Sequence, residues 1–313
     1  MKNWTKTNKE GPLENKLKKD VSGDPSPLPD GFEWCTIDLE NDDDAQQVYT
    51  LLKEHYVEDS EGVFRFEYSV ELIRWVLCTP EHIKDWHVGL RNKKSKKLLG
   101  FISGTPCKVV AKSNTVKMAE INFLCVNRKL REKRMAPVLI KEVTRRVNLS
   151  GIWSAIYTSG ETFPTPFTEA NYFHRTLNPK KNVETGFSSL AANETMAKYV
   201  KKMRLNELKD ISLIGEPRLM QMRDLPQVYA LYKKQMEKTS VHFKFSQQEL
   251  GHHLMPRRGV IYTIVIENIA EKKVTDFISF YNLPSQILKQ VNHNHTIMNV
   301  SQSSIYLFLT ILI

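Results

Sequence analysis

The chain has 313 residues, 41% hydrophobic and 26% charged, with a formal net charge of +10. That length and composition describe a globular protein of one large or two ordinary domains, and exclude fibrous and low-complexity classes. The basic balance predicts an anionic partner (nucleic acid, an acidic membrane or a phosphorylated ligand) without choosing among them.

The four cysteines, Cys35, Cys78, Cys107 and Cys125, form no CxxC pair and have no His at ligand spacing. They read as reduced, mostly buried thiols in a reducing compartment. Residues 1–30 read as an extended arm. The first residues carry no apolar run, so no signal peptide is expected. Met1 is not followed by Gly, which the usual N-terminal acylation pattern requires. Pro25, Pro27 and Pro29 forbid a regular helix.

From Phe32 the pattern becomes globular. Asp42-Asp43-Asp44 open a helix through Leu52, the acidic first turn matching the helix dipole. Ser69 caps a second helix, with Leu72, Ile73, Val76 and Leu77 on one face and an end before Pro80. Residues 86–90 and 98–103, joined by a basic turn, read as a β-hairpin. A strand follows over 117–126, and a helix from Pro137 through Val147.

The second half repeats the first. Asp224-Leu225-Pro226-Gln227-Val228-Tyr229 echoes Gln47-Val48-Tyr49. Phe245-Ser246 with Glu249-Leu250 echoes Tyr68-Ser69 with Glu71-Leu72. Phe277-Ile278-Ser279 echoes Phe101-Ile102-Ser103. Three echoes in the same order predict two similar α/β units made by duplication. Past Ser279 the chain continues for 34 residues, in which no comparable strand, basic loop and helix can be read. The second unit is therefore expected to be incomplete, with an exposed sheet edge. Residues 305–313 are nearly all apolar. They are too short for a membrane helix and β-prone enough to aggregate unless buried.

The sharpest local feature is the strand ending at Val126, then Arg128, Lys129, Arg131, Lys133 and Arg134, then the helix. Basic side chains before a helix N-terminus make an anion site suited to a pyrophosphate. A solvated basic loop is the plain alternative. Arg131-x-x-Arg134-x-Ala136 is similar to the coenzyme A pyrophosphate loop of GNAT acyltransferases, with Arg134 where that pattern has Gly.

Longer runs are more specific. Glu120-Ile121-Asn122-Phe123-Leu124-Cys125-Val126, Lys133-Arg134-Met135-Ala136-Pro137-Val138-Leu139-Ile140 and Glu142-Val143-Thr144-Arg145-Arg146 resemble the signature of N-myristoyltransferases. Tyr56-Val57-Glu58-Asp59, Phe64-Arg65-Phe66, Tyr172-Phe173-His174-Arg175 and Thr275-Asp276-Phe277 follow in family order. The resemblance covers about residues 28–286.

It implies an α/β (α+β) fold of two GNAT-like units. The arm would be 1–30, the acyl-CoA-binding unit 31–205, and a partial peptide-binding unit with an atypical apolar tail 206–313. It implies transfer of myristate from myristoyl-CoA to an N-terminal glycine amine, without a metal, by a cytoplasmic enzyme. The partners would be N-terminal-glycine peptides and the coenzyme A thioester, with peripheral contact to membranes or ribosomes and no nucleic acid.

By resemblance, the backbone N–H groups of Phe123 and Leu124 hold the oxyanion, and Thr158 helps to hold the amine. Phe123, Leu124, Cys125, Val126, Arg131, Glu132, Lys133, Arg134, Met135 and Ala136 line the acyl-CoA site. Tyr56, Asp59, Tyr172, His174 and Ser279 match peptide-groove positions. Glu132 and Met135 depart from the family's usual residues, and Glu132 places a negative charge beside the phosphates. The family's base is the carboxylate of its last residue, which Ile313 and the apolar tail do not match. Two other readings compete: an impaired relative that still binds acyl-CoA, and a basic nucleic-acid-binding protein, which no RNP, KH or zinc-finger pattern supports. His252-His253 and His293-x-His295 lack partners at metal-ligand spacing.

Overall fold

A computed structural model of the chain describes residues 17–160, 166–205, 215–289 and 293–303. The apolar segment 305–313 and the first half of the arm lie outside them. The described part of the arm lies on the first unit. The Trp34 indole N–H donates to the Ser26 carbonyl (2.8 Å), and Leu28 packs into the core beneath.

The first unit runs β1 (Phe32–Thr36), α1 (Asp42–His55), β2 (Phe64–Phe66), α2 (Val70–Leu77), β3 (His87–Asn92), β4 (Leu98–Ala111), β5 (Asn114–Val126), α3 (Met135–Leu149) and β6 (Ala155–Ile156). Asn41 caps α1 through Asp43 and Asp44 N–H, and Ser69 caps α2 through Leu72 N–H. Two short helices follow, α4 (Pro179–Glu184) and α5 (Met196–Met203). The second unit runs β7 (Glu216–Leu219), α6 (Leu225–Met236), β8 (Val241–Phe243), α7 (Gln247–Leu254), β9 (Ile261–Asn268), β10 (Lys273–Asn282), β11 (Ser285–Ile287), β12 (Ile297–Met298) and β13 (Ser301–Ser303).

One sheet has the order β1-β3-β4-β5-β6, antiparallel except for the parallel β5-β6 pair. Its two faces alternate along the strands, as the pleat requires. Ile37, Phe101, Phe123 and Cys125 pack under α1 and α2. Val88, Leu90, Ile102 and Ala119 pack against Leu139, Val143 and Val147 of α3. A second sheet has the order β13-β10-β9-β7, with Val228 and Leu250 of α6 and α7 over Val265 and Phe277.

The duplication is visible in the pairing. β2 leaves its own unit to pair with β11, and β8 leaves its own to pair with the far end of β4. Ser69 and Ser246, matched in the repeat, are both helix N-caps. Equivalent positions meet where the units touch. The Trp75 indole donates to the His252 carbonyl (3.2 Å), and the His252 Nε2 lies 2.7 Å from the Trp75 carbonyl.

After Ser279 the described residues hold short strands but no strand, basic loop and helix in the order of the first unit, and β13 pairs antiparallel with β10 as β5 does with β4. The strands of 297–303 are two or three residues long, Ile297-Met298 and Ser301-Gln302-Ser303. They show no apolar alternation for a sequence reading to find.

Candidate functional site

The site begins with an irregularity in β5. Phe101 pairs with Cys125 and Ser103 with Asn122, so Phe123 and Leu124 together oppose the single residue Ile102. This is a β-bulge, and a bulge takes its extra residue out of the hydrogen-bond ladder. Phe123 adopts φ 55°, a left-handed conformation that costs an ordinary residue roughly 1–2 kcal/mol. Its side chain is 6% exposed and sits against Tyr68 (ring centroids 5.0 Å apart, 86° between planes) and Tyr56 (6.2 Å). Packing therefore holds a strained backbone at the one spot where the β4-β5 register is interrupted.

That spot opens on a cleft of about 440 Å³. Leu124, Cys125 and Val126 form one wall, residues 55–58 after α1 the other, and Arg131 and Ala136 close the end. The backbone beyond Val126 is shaped by Asn127, whose Oδ1 accepts from Lys129 N–H and whose side-chain amide lies 2.8 Å from His55 Nε2. A turn of 3-10 helix over Arg128–Lys133 carries the basic residues. The Arg131 guanidinium donates to the His55 carbonyl at 2.5 Å, tying loop to opposite wall.

Arg134 then adopts φ 53°, ψ 37° and stands as N-cap of α3 without a side-chain hydrogen bond to the helix. The first N–H groups of α3 thus lack a capping side chain, an end that suits an anion. The left-handed backbone explains why the GNAT pattern has Gly there. Arginine pays roughly 1 kcal/mol for that conformation and adds a positive charge beside the anion site. Arg131, Glu132, Lys133 and Arg134 are exposed, Met135 is buried and Ala136 is half-buried. Glu132 therefore points its charge into solvent-accessible space on the same turn as the basic side chains.

Burial keeps the thiols protonated. Burial pushes the Cys125 thiol up to about 12, Cys107 to about 12 and Cys35 to about 11. A thiol so held is a poor nucleophile, because the thiolate is the reactive form. Glu58, on the cleft wall, receives both Arg65 and Arg128.

The remaining expected residues divide into four groups. Tyr56 is on the cleft. Asp59 is exposed, and its Oδ1 accepts from Val63 N–H (2.7 Å) and Phe64 N–H (2.6 Å), so it shapes its own loop. Thr158, Tyr172 and His174 lie exposed on the segments after β6, with His174 against Phe187 (5.4 Å). Tyr172 is near enough to Tyr68 and Tyr281 for the phenols to influence one another. Ser279 is apart: it is buried in β10 and accepts from the Thr263 hydroxyl at 2.9 Å. His55, Glu58 and Tyr68 were not singled out from sequence. Glu58 and Arg65 stood within quoted motifs, but their pairing leaves no mark in the chain.

Comparison with known proteins shows the family. The family model described as Myristoyl-CoA:protein N-myristoyltransferase, N-terminal domain, matches residues 12–170, and the C-terminal domain of the same family matches 184–308. Glycylpeptide N-tetradecanoyltransferase 1 of Arabidopsis thaliana is 46% identical over 295 residues, covering 94% of this chain and 67% of that protein. The glycylpeptide N-tetradecanoyltransferase of Dictyostelium discoideum is 45% identical over 285 residues, covering 91% and 68%. A crystal structure of Saccharomyces cerevisiae N-myristoyltransferase with bound myristoyl-CoA superposes with a TM-score of 0.87 at 37% identity, covering 95% of this chain and 67% of that one. The chain thus spans about two thirds of the length of these relatives, and it belongs to the N-myristoyltransferase family.

Proposed function

We propose that this chain is a glycylpeptide N-tetradecanoyltransferase. It would bind myristoyl-CoA in the cleft beside β5 and pass the acyl group to the N-terminal glycine amine of a protein. The bulge at Phe123 and Leu124 is the observation that carries this reading. The amine nitrogen attacks the thioester carbonyl, and the carbonyl electrons move to oxygen. Two preorganised backbone N–H groups then meet the charge as it develops. Collapse re-forms the carbonyl, breaks the C–S bond and releases coenzyme A as thiolate, while the amine proton passes to a base. Arg131, Lys133, Arg134 and the uncapped start of α3 would hold the pyrophosphate, with Cys125, Val126, Met135 and Ala136 beside it and Glu132 on the rim.

Thr158 would hold the amine. Tyr56, Asp59, Tyr172, His174 and Ser279 would contact the peptide. The four free cysteines support work in a reducing compartment, which we take to be the cytoplasm. Among the described residues no helix is long and apolar enough to cross a membrane. Contact with membranes or ribosomes would be peripheral, favoured by the chain's net charge of +10.

The test is transfer of a labelled myristoyl group to a peptide beginning with Gly, with the same peptide beginning with Ala as control. Transfer to the first alone supports the proposal. Binding of myristoyl-CoA without transfer favours the second reading, an acyl-CoA-binding relative, because every residue lining the cleft falls between 55 and 136. Absence of both overturns the proposal.

A further inference from the structure

We propose that Tyr68 is a positioning residue for acyl transfer, acting through the ring of Phe123 on the backbone of the bulge. The inference rests on the oxyanion reading above and names the group that keeps those donors in place.

Phe123 is in a backbone conformation that a non-glycine residue leaves unless its surroundings hold it. Its side chain is the handle. Of the two rings against it, Tyr68 is the nearer and meets it edge to face, the favoured aromatic geometry. Tyr68 is itself clamped. Tyr56 lies 5.6 Å away at 82°, and Phe66 lies 6.1 Å away at 65°. The next residue, Ser69, is fixed as the cap of α2, and Phe66 is fixed by pairing with Ser285 of β11. A single rigid ring thus connects the bulge to two anchored elements.

Tyr68 also packs on two cores at once. One is the first unit's core under α1, which contains Phe123. The other joins Leu72 and Trp75 to Val260, Ile261 and Leu283 of the second unit. The second unit therefore reaches the reacting carbonyl's donors by way of this side chain. The phenol is not required for that role; the ring is.

The experiment compares two probes of the full chain by calorimetry. One is a ketone analogue of myristoyl-CoA, with a methylene between sulfur and carbonyl. The other is the matching thioether, which has no carbonyl oxygen. Their affinity ratio reports the N–H donors, and two hydrogen bonds predict a ratio on the order of tenfold in the unaltered protein. Tyr68→Ala is expected to bring the ratio to within about twofold of unity while thioether binding changes little. Tyr68→Phe is expected to keep it. Tyr68→Leu, which fills more of the space, serves if the alanine variant fails to fold, and is expected to lose the ratio as well. A retained ratio in a folded Ala or Leu variant overturns the proposal. A ratio near unity in the unaltered protein overturns the oxyanion reading itself, and with it this inference.

Discussion

Glu142→Gln probes how α3 is fixed beneath the anion site. The Glu142 side chain is fully buried, and both of its arginines come from the next turn of the same helix. Arg145 donates to it at 2.7 and 2.8 Å and also to the Gly23 carbonyl of the arm. Arg146 donates to it at 2.8 Å and also to the Thr36 hydroxyl and the Asp85 carbonyl. One carboxylate thus organises the contacts that join α3 to the arm, to β1 and to the turn before β3. Removing one partner of a buried ion pair costs about 3–5 kcal/mol. Glutamine keeps the volume and one acceptor, and the arginines keep their backbone partners, so the expected loss is about 3 kcal/mol. The pH dependence gives a second check. Burial alone would push the Glu142 carboxyl up, but hydrogen bonds from Arg145 and Arg146, and then their charges, outweigh it and hold it below the usual carboxylate range. Its contribution is fully present above the unfolded carboxyl's value near ~4.3 and is lost as pH falls through the lower folded value. Urea unfolding at pH 7 and near pH 3, followed by both fluorescence and circular dichroism, measures this. A loss below about 1 kcal/mol at pH 7, or a gap between the proteins that does not narrow in acid, would refute the reasoning.

Three other expectations follow from single residues. Arg134→Gly releases the left-handed backbone before α3, so stability rises by up to about 1 kcal/mol, while affinity for myristoyl-CoA falls severalfold and becomes less sensitive to salt; thermal melts and calorimetry check the two effects. His87 is buried, neither ring nitrogen has a hydrogen-bond partner among the described residues, and burial pushes it down to about 4. The unfolded chain takes up that proton near ~6.5 and the folded chain does not, so His87→Phe should reduce the stability lost between those values by up to about 3 kcal/mol, read from unfolding midpoints across that range. A Cβ on Gly89 would lie 2.5 Å from Cys35 Sγ and 2.9 Å from Ile37; Gly89→Ala should destabilise by about 1–3 kcal/mol and lower the melting temperature.

Much of the fold could be read from local pattern. The helix cap at Ser69, the hairpin of β3 and β4, and the strand, basic loop and helix from β5 to α3 follow from periodicity and capping chemistry, and the repeat carries the Ser69 cap over to Ser246. The repeat was legible because equivalent residues keep the same roles, as Phe101 and Phe277 do beneath their helices. The exchanged strands were not. β2 with β11 and β8 with β4 are three-residue pairings between segments separated by more than a hundred residues, and no local property of Phe64-Arg65-Phe66 names its partner. The bulge was equally hidden, because Phe123 has no sequence mark of a positive φ. Arg134 shows the reverse case: its departure from the GNAT glycine was visible, and the structure supplied the reason the pattern has one.

The most direct measurement is calorimetric titration of the intact chain with a non-hydrolysable myristoyl-CoA analogue at low and high salt. One site is expected, whose affinity falls as salt rises and falls further in Arg131→Ala, which removes a charge from the proposed pyrophosphate site and the tie to the His55 carbonyl. Absent binding, or binding indifferent to both salt and Arg131, would contradict the assignment of this loop and helix as the coenzyme A site.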